Sequence, residues 1–149
     1  MKISAKCEYA LRAILDLAGF FPGERVHLTD LSNRRSIPLK FLDQIMLMLR
    51  KGGFVQSKKG PNGGYSLTRE PSAITLGEVI RCIDGPVYPG DGEDAARASS
   101  CTGVSDCVLV DVWKQVDDAI SGVIDRIDFK ELKEREERKK LIQANMFWI

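Results

Sequence analysis

Two cysteines lie close together in the segment SSCTGVSDC, where Cys101 and Cys107 are six positions apart. Cysteine thiolates bind metal ions and iron–sulfur clusters, and two neighbouring thiols can also be oxidised to a disulfide. Two further cysteines, Cys7 and Cys82, lie elsewhere in the chain. The pair therefore indicates half of a metal site, a redox-active pair, or a spacing without chemical consequence.

The composition limits the classes of protein to which the chain can belong. Its 149 residues are 44% apolar, which is enough for the core of one small domain without disulfide bonds. No apolar run approaches the ~20 residues of a membrane-spanning helix, and the N-terminus lacks the features of a signal peptide. These observations predict a cytoplasmic protein with no membrane segment, in which cysteines stay reduced unless they bind metal or respond to oxidants.

The charges are distributed unevenly along the chain. Residues 1–70 carry twelve basic and six acidic side chains, a net charge of +6, whereas the remainder carries −5. A basic half next to an acidic half suggests that one end of the molecule meets a polyanion such as DNA. A chance scatter of surface charge would give the same totals.

The basic half predicts two helices joined by a tight connection. Apolar periodicity over 4–20, with Ser4 as N-cap, is followed by a short helix and by a longer one that begins near Pro38. The apolar residues of the longer helix fall on one stripe: Leu42, Ile45, Met46 and Leu49. This pattern is typical of a helix-turn-helix, in which the second helix enters the major groove.

Polar side chains near the start of the longer helix lie off the apolar stripe and are predicted to face DNA. Lys40 can donate to guanine and Gln44 can pair with adenine, whereas Asp43 can accept from the cytosine amino group. Arg50 and Lys51 follow at the end of the helix, where they touch phosphate or only increase solubility.

The period then changes from helical to alternating. Residues 54–57 and 65–68 predict two short strands around the tip KKGPNGG, which is rich in turn-forming residues. A basic hairpin after a helix-turn-helix makes a winged helix, and Lys58, Lys59 and Asn62 are the predicted DNA contacts of this wing. The predicted fold is therefore mainly α with a small β wing.

The C-terminal half predicts a sensor segment and a long helix. A capping box formed by Thr75 and Glu78 begins a further helix, and periodicity is lost over 85–107. From Leu109 onwards apolar residues recur every three or four positions, which predicts a helix that pairs with its own copy, or a plain core helix. The charged run KELKEREERKK is interpreted as a solvated continuation of that helix. The predicted units are 1–84 for DNA binding, 85–107 for sensing through a cluster or thiols, and 108–149 for a dimerisation helix with a charged C-terminal tail.

Four segments resemble the IscR/NsrR/CymR family of bacterial regulators. They are KCEYALRAILDLA, the block IPLKFLDQIMLMLRKGGFVQSKKGPNGGYSLTRE, ITLGEVIRCIDGP and CVLVDVWKQVDDAISGVID. The resemblance implies a homodimeric, non-enzymatic transcription regulator that binds palindromic operator DNA. It also implies an iron–sulfur cluster in the loop before the dimer helix, because many members bind one there. Cys101 and Cys107 occupy the last two of the three cysteine positions of that family.

The chain departs from the family at the first cysteine. That position holds Ala95, or Ala98 in an alternative alignment, and Val110 stands where some members have a histidine. Glu8 does match an acid that some members contribute from the other subunit. A 2Fe–2S cluster takes four protein ligands, so Cys101, Cys107 and Glu8 supply only three.

Several alternatives therefore stay open. The segment binds a 2Fe–2S cluster with unusual ligands, it senses oxidants through the cysteine pair without a cluster, or the alanine marks a cysteine-to-alanine variant. A protein-binding winged helix controlled by a partner protein is a further possibility. An enzyme is not expected, since the chain has a single histidine, His27, and no strand–loop–helix nucleotide motif.

Overall fold

The computed structural model describes residues 2–87 and 104–148, of which 104–107 are described by their backbone alone. This part of the chain forms six helices, one 3₁₀ turn (Pro71–Ala73) and a two-stranded antiparallel sheet. The helices are α1 (Ala5–Ala18), α2 (Leu28–Arg35), α3 (Leu39–Lys51), α4 (Leu76–Asp84), α5 (Val104–Ile124) and α6 (Phe129–Met146), and the strands are β1 (Val55–Lys58) and β2 (Gly64–Leu67).

Helix α1 forms the centre of the molecule. The Ser4 hydroxyl accepts a hydrogen bond from the Cys7 amide at 3.0 Å, so the predicted N-cap is confirmed. Its inward face is made of small and aliphatic side chains such as Ala10, Ile14 and Leu17, all with at most 1% exposure. Because alanines permit close approach, α1 packs directly against α2, α3, α4 and α6.

Helices α2 and α3 form the predicted helix-turn-helix. Between them Ser36 adopts a left-handed conformation with φ of 54°, and the Ser32 hydroxyl donates to the Ile37 carbonyl at 2.6 Å. Pro38 is the N-cap of α3, where its missing amide proton costs nothing. The predicted apolar stripe is buried, with Leu42, Ile45, Met46 and Leu49 all at 1% exposure or less.

The predicted wing follows α3. Strands β1 and β2 pair with Val55 opposite Leu67 and Lys58 opposite Gly64. Beside the sheet, Val26 and Tyr65 exchange two backbone hydrogen bonds of 2.9 and 2.8 Å, which attach the wing to the segment before α2. Gly64 permits this approach because it has a φ of +132° and a Cβ there would lie 2.7 Å from the Val26 carbonyl oxygen.

Helix α4 connects the winged helix to α5. Its N-terminus carries the predicted capping box between Thr75 and Glu78. One turn further on, Arg81 binds Asp125 through two hydrogen bonds of 2.6 and 2.9 Å and also donates to the Ser121 hydroxyl at 3.1 Å. This bidentate pair fixes the end of α5 to α4.

The C-terminal segment differs from the expected charged continuation of one long helix. Helix α5 ends at Ile124, and Asp128 caps a separate helix by accepting from the Glu131 amide at 2.8 Å. Phe129 at the start of α6 is fully buried in the same core as α1 and α3, and its amide donates to the Ile74 carbonyl at 3.1 Å. The chain turns back because burial of this aromatic ring outweighs continuation of the helix. The prediction of a solvated continuation was wrong, while the unit limits at 84 and 108 stay predictions.

None of the helices in the described ranges 2–87 and 104–148 is both long and apolar enough to cross a lipid bilayer.

Candidate nucleic-acid interface

The outward face of α3 is the first part of the candidate interface. Lys40, Asp43, Gln44 and Lys51 are all exposed, as expected for side chains on the side opposite the buried stripe. The helical period aligns Lys40, Gln44 and Lys51 in one row along the helix. The row can offer hydrogen-bond donors to base edges and phosphates, and its contact with DNA stays a prediction.

An aromatic cluster supports the start of this row. The Lys40 ammonium lies 4.8 Å from the centre of the Phe41 ring, and Phe41 stacks on Tyr9 of α1 with 6.4 Å between ring centres. A shallow groove of about 200 Å³ separates α1 from α3 at this point, and Gln44 forms part of its wall. The cluster restricts the Lys40 side chain through a cation–π contact and links α3, the predicted DNA-reading helix (hereafter the reading helix), to α1.

The second part of the interface is the wing. Lys58, Lys59 and Asn62 are exposed at its tip, as the sequence predicted, and the Gly63 amide donates to the Gly60 carbonyl at 2.9 Å to close the turn. A Cβ at Gly63 would lie 2.2 Å from the Lys58 carbonyl oxygen, so only glycine fits there. The tip therefore presents cationic side chains on a backbone of low steric bulk.

Arg50 joins the two parts of the interface. Its guanidinium donates to the Ser57 hydroxyl of β1 at 3.3 Å, and on the same side Thr68 donates to the Gly53 carbonyl at 2.5 Å. These bonds fix the end of α3 to the base of the wing. Arg50 thus has a structural partner in addition to the phosphate contact predicted for it.

One apolar residue, which was not predicted from the sequence as part of the site, lies on the same face. Leu47 is 49% exposed and falls between Gln44 and Lys51 in the outward row. The signal was present in the spacing, because positions 40, 44, 47 and 51 repeat with the helical period. It was not recognised because leucine in a helix is usually assigned to the core.

A network of charges around the buried Asp16 lies behind the interface and was not predicted from the sequence. Asp16 of α1 is 4% exposed and accepts hydrogen bonds from Arg34, with 2.8 Å for the shortest, and from Arg35 at 2.9 Å. Arg35 also forms a bidentate pair with Glu136 of α6. Hydrogen bonds from Arg35 lower the pKa of Glu136 from 4.5 to about 2. The network fixes the last turn of α2, directly before the reading helix, to both α1 and α6.

Of the three predicted metal ligands, the structure describes the side chain of one, Glu8. Glu8 is exposed on α1 and pairs with Arg12 at 3.2 Å. Cys101 lies outside the described residues, as do Ala95 and Ala98, and for Cys107 the structure gives only the backbone, in the first turn of α5. Within the described ranges no three metal-ligating side chains form a group. The ligand set therefore stays a prediction.

The other two cysteines are poor ligand candidates. Cys7 is fully buried, and burial together with the neighbouring Asp84 carboxylate raises the pKa of its thiol to about 12. Burial also raises the pKa of Cys82, whose sulfur packs against Gly52 at the end of α3. Both thiols therefore stay protonated near neutral pH, as expected for core cysteines.

Helix α5 carries a row of exposed apolar residues. They are 42–59% exposed and include Val108, Leu109, Val112, Trp113, Val116 and Val123. At the end of the helix Ile124 instead packs inside the chain, where it joins Cys7 and Ile80 in a small cluster. A contiguous apolar row of this kind usually marks an interaction surface.

A helix-turn-helix with a polar outward face and a basic two-stranded wing is the architecture of winged helix-turn-helix transcription regulators. The comparisons with known proteins agree: a family model described as "Rrf2: Iron-dependent Transcriptional regulator" matches residues 3–135. The chain belongs to this Rrf2 family of transcriptional regulators. The family resemblance and the fold class predicted from the sequence are therefore confirmed.

Three of the similar proteins are named as regulators or belong to regulator types. The chain is 35% identical over 137 residues to the HTH-type transcriptional regulator IscR of Escherichia coli O1:K1, covering 92% of this chain and 83% of IscR. Among solved structures, CymR, the global cysteine regulator of B. subtilis, is similar with a TM-score of 0.72 and 30% identity, covering 91% of this chain and 98% of CymR. T. potens IscR gives a TM-score of 0.74 and 31% identity, covering 93% and 90%. These names agree with the prediction that the chain is not an enzyme.

Proposed function

We propose that the chain acts as a homodimer that binds palindromic operator DNA through two winged helices. The observation that carries this proposal is that one chain has two separate surfaces. One is the polar and basic face formed by α3 and the wing, and the other is the exposed apolar row of α5. Association of two α5 helices would bury their rows and produce a two-fold symmetric molecule with two DNA-binding heads. The two-fold symmetry of such a dimer matches the symmetry of a palindromic DNA site.

The reading helices would enter successive major grooves about 34 Å apart. Lys40 and Gln44 would contact base edges, while Asp43 would accept from a cytosine and repel misplaced phosphates. Lys58, Lys59 and Asn62 of the wing would contact the minor groove or the backbone, and Arg50 and Lys51 would contact phosphates.

Control of DNA binding is assigned to the segment that contains Cys101 and Cys107, through a 2Fe–2S cluster or through the redox state of the two thiols. For a cluster, the two thiolates would be joined by Glu8 of the partner subunit, which is supported by the exposure of this carboxylate on α1. A cluster usually takes four protein ligands, so one ligand is not accounted for. Without a cluster, an oxidant such as peroxide would remove two electrons and two protons to form a Cys101–Cys107 disulfide.

The position of this segment supports its regulatory role. It connects α4 to α5, and both helices are fixed to the rest of the chain. Asp84 at the end of α4 accepts from the Ser4 amide at 2.9 Å, and Arg81 holds the far end of α5 through Asp125. A change in the segment would therefore act on the angle between the DNA-binding head and the start of α5.

DNA binding is tested by mobility shift with a duplex selected from a random pool, together with light scattering for the oligomeric state. Lys59→Ala should weaken binding and reduce the salt dependence, by about 0.9 in the slope of log K against log salt for each phosphate that the protein no longer neutralises. Lys139→Ala on α6 is the matched control, because it removes an exposed lysine outside the interface. A monomer that binds no duplex at low salt would refute the proposal.

Control by the cysteines is tested by purification without oxygen, followed by the visible spectrum and iron and sulfide assays. Bound iron and sulfide that are absent from Cys107→Ser and kept in Cys82→Ser would support the cluster. Iron-free protein whose DNA affinity changes with peroxide would support the thiol pair. DNA affinity that is insensitive to oxidant, iron and Cys107→Ser would refute both forms of control.

A further inference from the structure

The outward row of α3 contains an apolar side chain where polar ones are expected. Leu47 is 49% exposed, and along the helix it follows Lys40 by seven residues and Gln44 by three, and precedes Lys51 by four. These spacings place the four side chains on one face of the helix. The core is already supplied by the opposite stripe of α3, so packing inside the chain does not account for leucine at this position.

The neighbours of Leu47 indicate what covers it. The surrounding side chains are charged or hydrogen-bonding, with Gln44 and Lys51 on either side in the row, the acidic Asp43 one turn before and Arg50 one turn further on. Such surroundings match a duplex better than an apolar protein surface, in which these charges would lose water without gaining partners. The major groove offers one apolar group, the C5-methyl of thymine.

We propose that Leu47 is a specificity-determining residue that packs against a thymine methyl group in each half-site of the operator. The inference rests on the proposed DNA binding through α3. In this arrangement Gln44 would bond a neighbouring base edge and Lys51 would bond a flanking phosphate, and Leu47 would favour A·T over G·C at the pair between them. The hydrogen bonds that Arg50 and Thr68 form between α3 and the wing would fix how deeply α3 enters the major groove.

The test removes the methyl group and keeps every hydrogen bond. A duplex that binds wild-type protein is first selected from a random pool. It is then synthesised in two forms, which carry either thymine or deoxyuridine at the position proposed to contact Leu47 in each half-site. Burial of one methyl group predicts about a fourfold loss of affinity in each half-site on replacement by uracil, or more than tenfold for a dimer. Leu47→Ala should bind both duplexes with equal affinity, because it no longer contacts the methyl group.

Two controls separate this contact from general effects. Leu39→Ala removes a side chain of similar exposure, 43%, at the start of the same helix but outside the row, so it should keep the wild-type ratio between the two duplexes. Light scattering and the unfolding midpoint show whether Leu47→Ala is still folded and in the same oligomeric state.

The outcomes distinguish the inference from the proposed function. Failure of wild-type protein to enrich any duplex would overturn the DNA-binding proposal itself. Enrichment followed by equal binding of the two duplexes would overturn only the role of Leu47. Equal sensitivity of wild-type and Leu47→Ala would also overturn it, since another residue would then contact the methyl. A changed oligomeric state of Leu47→Ala with an unchanged thymine preference would assign Leu47 to a protein contact instead.

Discussion

Replacement of Glu136 by glutamine should loosen the attachment of α6 to the helix-turn-helix. Glu136 accepts from Arg35 and from Lys133, the latter at 2.8 Å, and its side chain is 19% exposed. Glutamine has nearly the same shape and can still accept a hydrogen bond, so the substitution removes the charge and little else. Arg35 would keep Asp16 as its remaining carboxylate partner at 2.9 Å.

The magnitude follows from the pKa of Glu136. A shift from 4.5 to about 2 corresponds to a stabilisation of the order of 3 kcal/mol, reduced to about 2 because the pair is partly hydrated. Since the pKa is lower in the folded state, this stabilisation is complete above pH 4.5 and is lost as the pH falls towards 2. Glu136→Gln should therefore be less stable than wild type by about 2 kcal/mol at pH 7, with a smaller difference at pH 3.

Urea unfolding at fixed protein concentration measures this difference, and the fixed concentration is needed because association adds to stability. Glu137→Gln provides the matched control. Glu137 is the next residue on α6, is 56% exposed, and its ion pairs within the described residues are long, 3.4 Å to Lys133 and 3.7 Å to Lys140. Its substitution should cost less than about 0.5 kcal/mol at any pH. The reasoning is refuted if both variants behave alike, or if the effect of Glu136→Gln is as large at pH 3 as at pH 7.

Three further substitutions test other parts of the structure. Phe129→Ala should cost about 3–5 kcal/mol in urea unfolding because it empties a fully buried site; a cost below about 1 kcal/mol, as at a surface position, would show that α6 does not fold back. Gly64→Ala should lower DNA affinity in a mobility shift, since its Cβ would displace the Val26 carbonyl; unchanged affinity would count against the wing attachment. Trp113→Glu should convert the proposed homodimer to a folded monomer by light scattering, whereas Lys114→Glu, exposed on the same helix, should not; a dimer in both would exclude α5 as the interface.

The helix-turn-helix and wing could be predicted because their signals are local. The stripe from Leu42 to Leu49 repeats with the helical period, and the capping box at Thr75 lies within four residues. Turn residues at the wing tip are equally local. Each of these features specifies its own element without information from distant parts of the chain.

The return of α6 could not be predicted in the same way. The apolar period continues through Ile127, and the following charged run is typical of a solvated helix. What decides the outcome is the burial of Phe129 among residues of α1 and α3, which is a tertiary effect. The opposing local signal is Asp128 three residues before Glu131, a capping pattern that competes with the longer apolar periodicity.

The candidate site was predicted unevenly for a related reason. Charged and amide side chains on α3 and the wing are recognisable because their chemistry suits DNA, and the structure places all of them on the surface. Leu47 has no such chemical signature and becomes informative only when its exposure is known. The ligand set around Cys101 and Cys107 depends on partners that are distant in sequence, and it stays a prediction.

The two-way backbone bridge between Val26 and Tyr65 limits how this regulator can respond to a signal. It joins the hairpin to the segment before α2, while the Arg50 and Thr68 bonds join it to the end of α3. Because the wing is hydrogen-bonded on both sides, it moves together with α2 and α3. In the proposed homodimer an effector would therefore tilt or translate each winged helix-turn-helix as a rigid block, and we expect affinity for an isolated half-site to be the same with and without the effector.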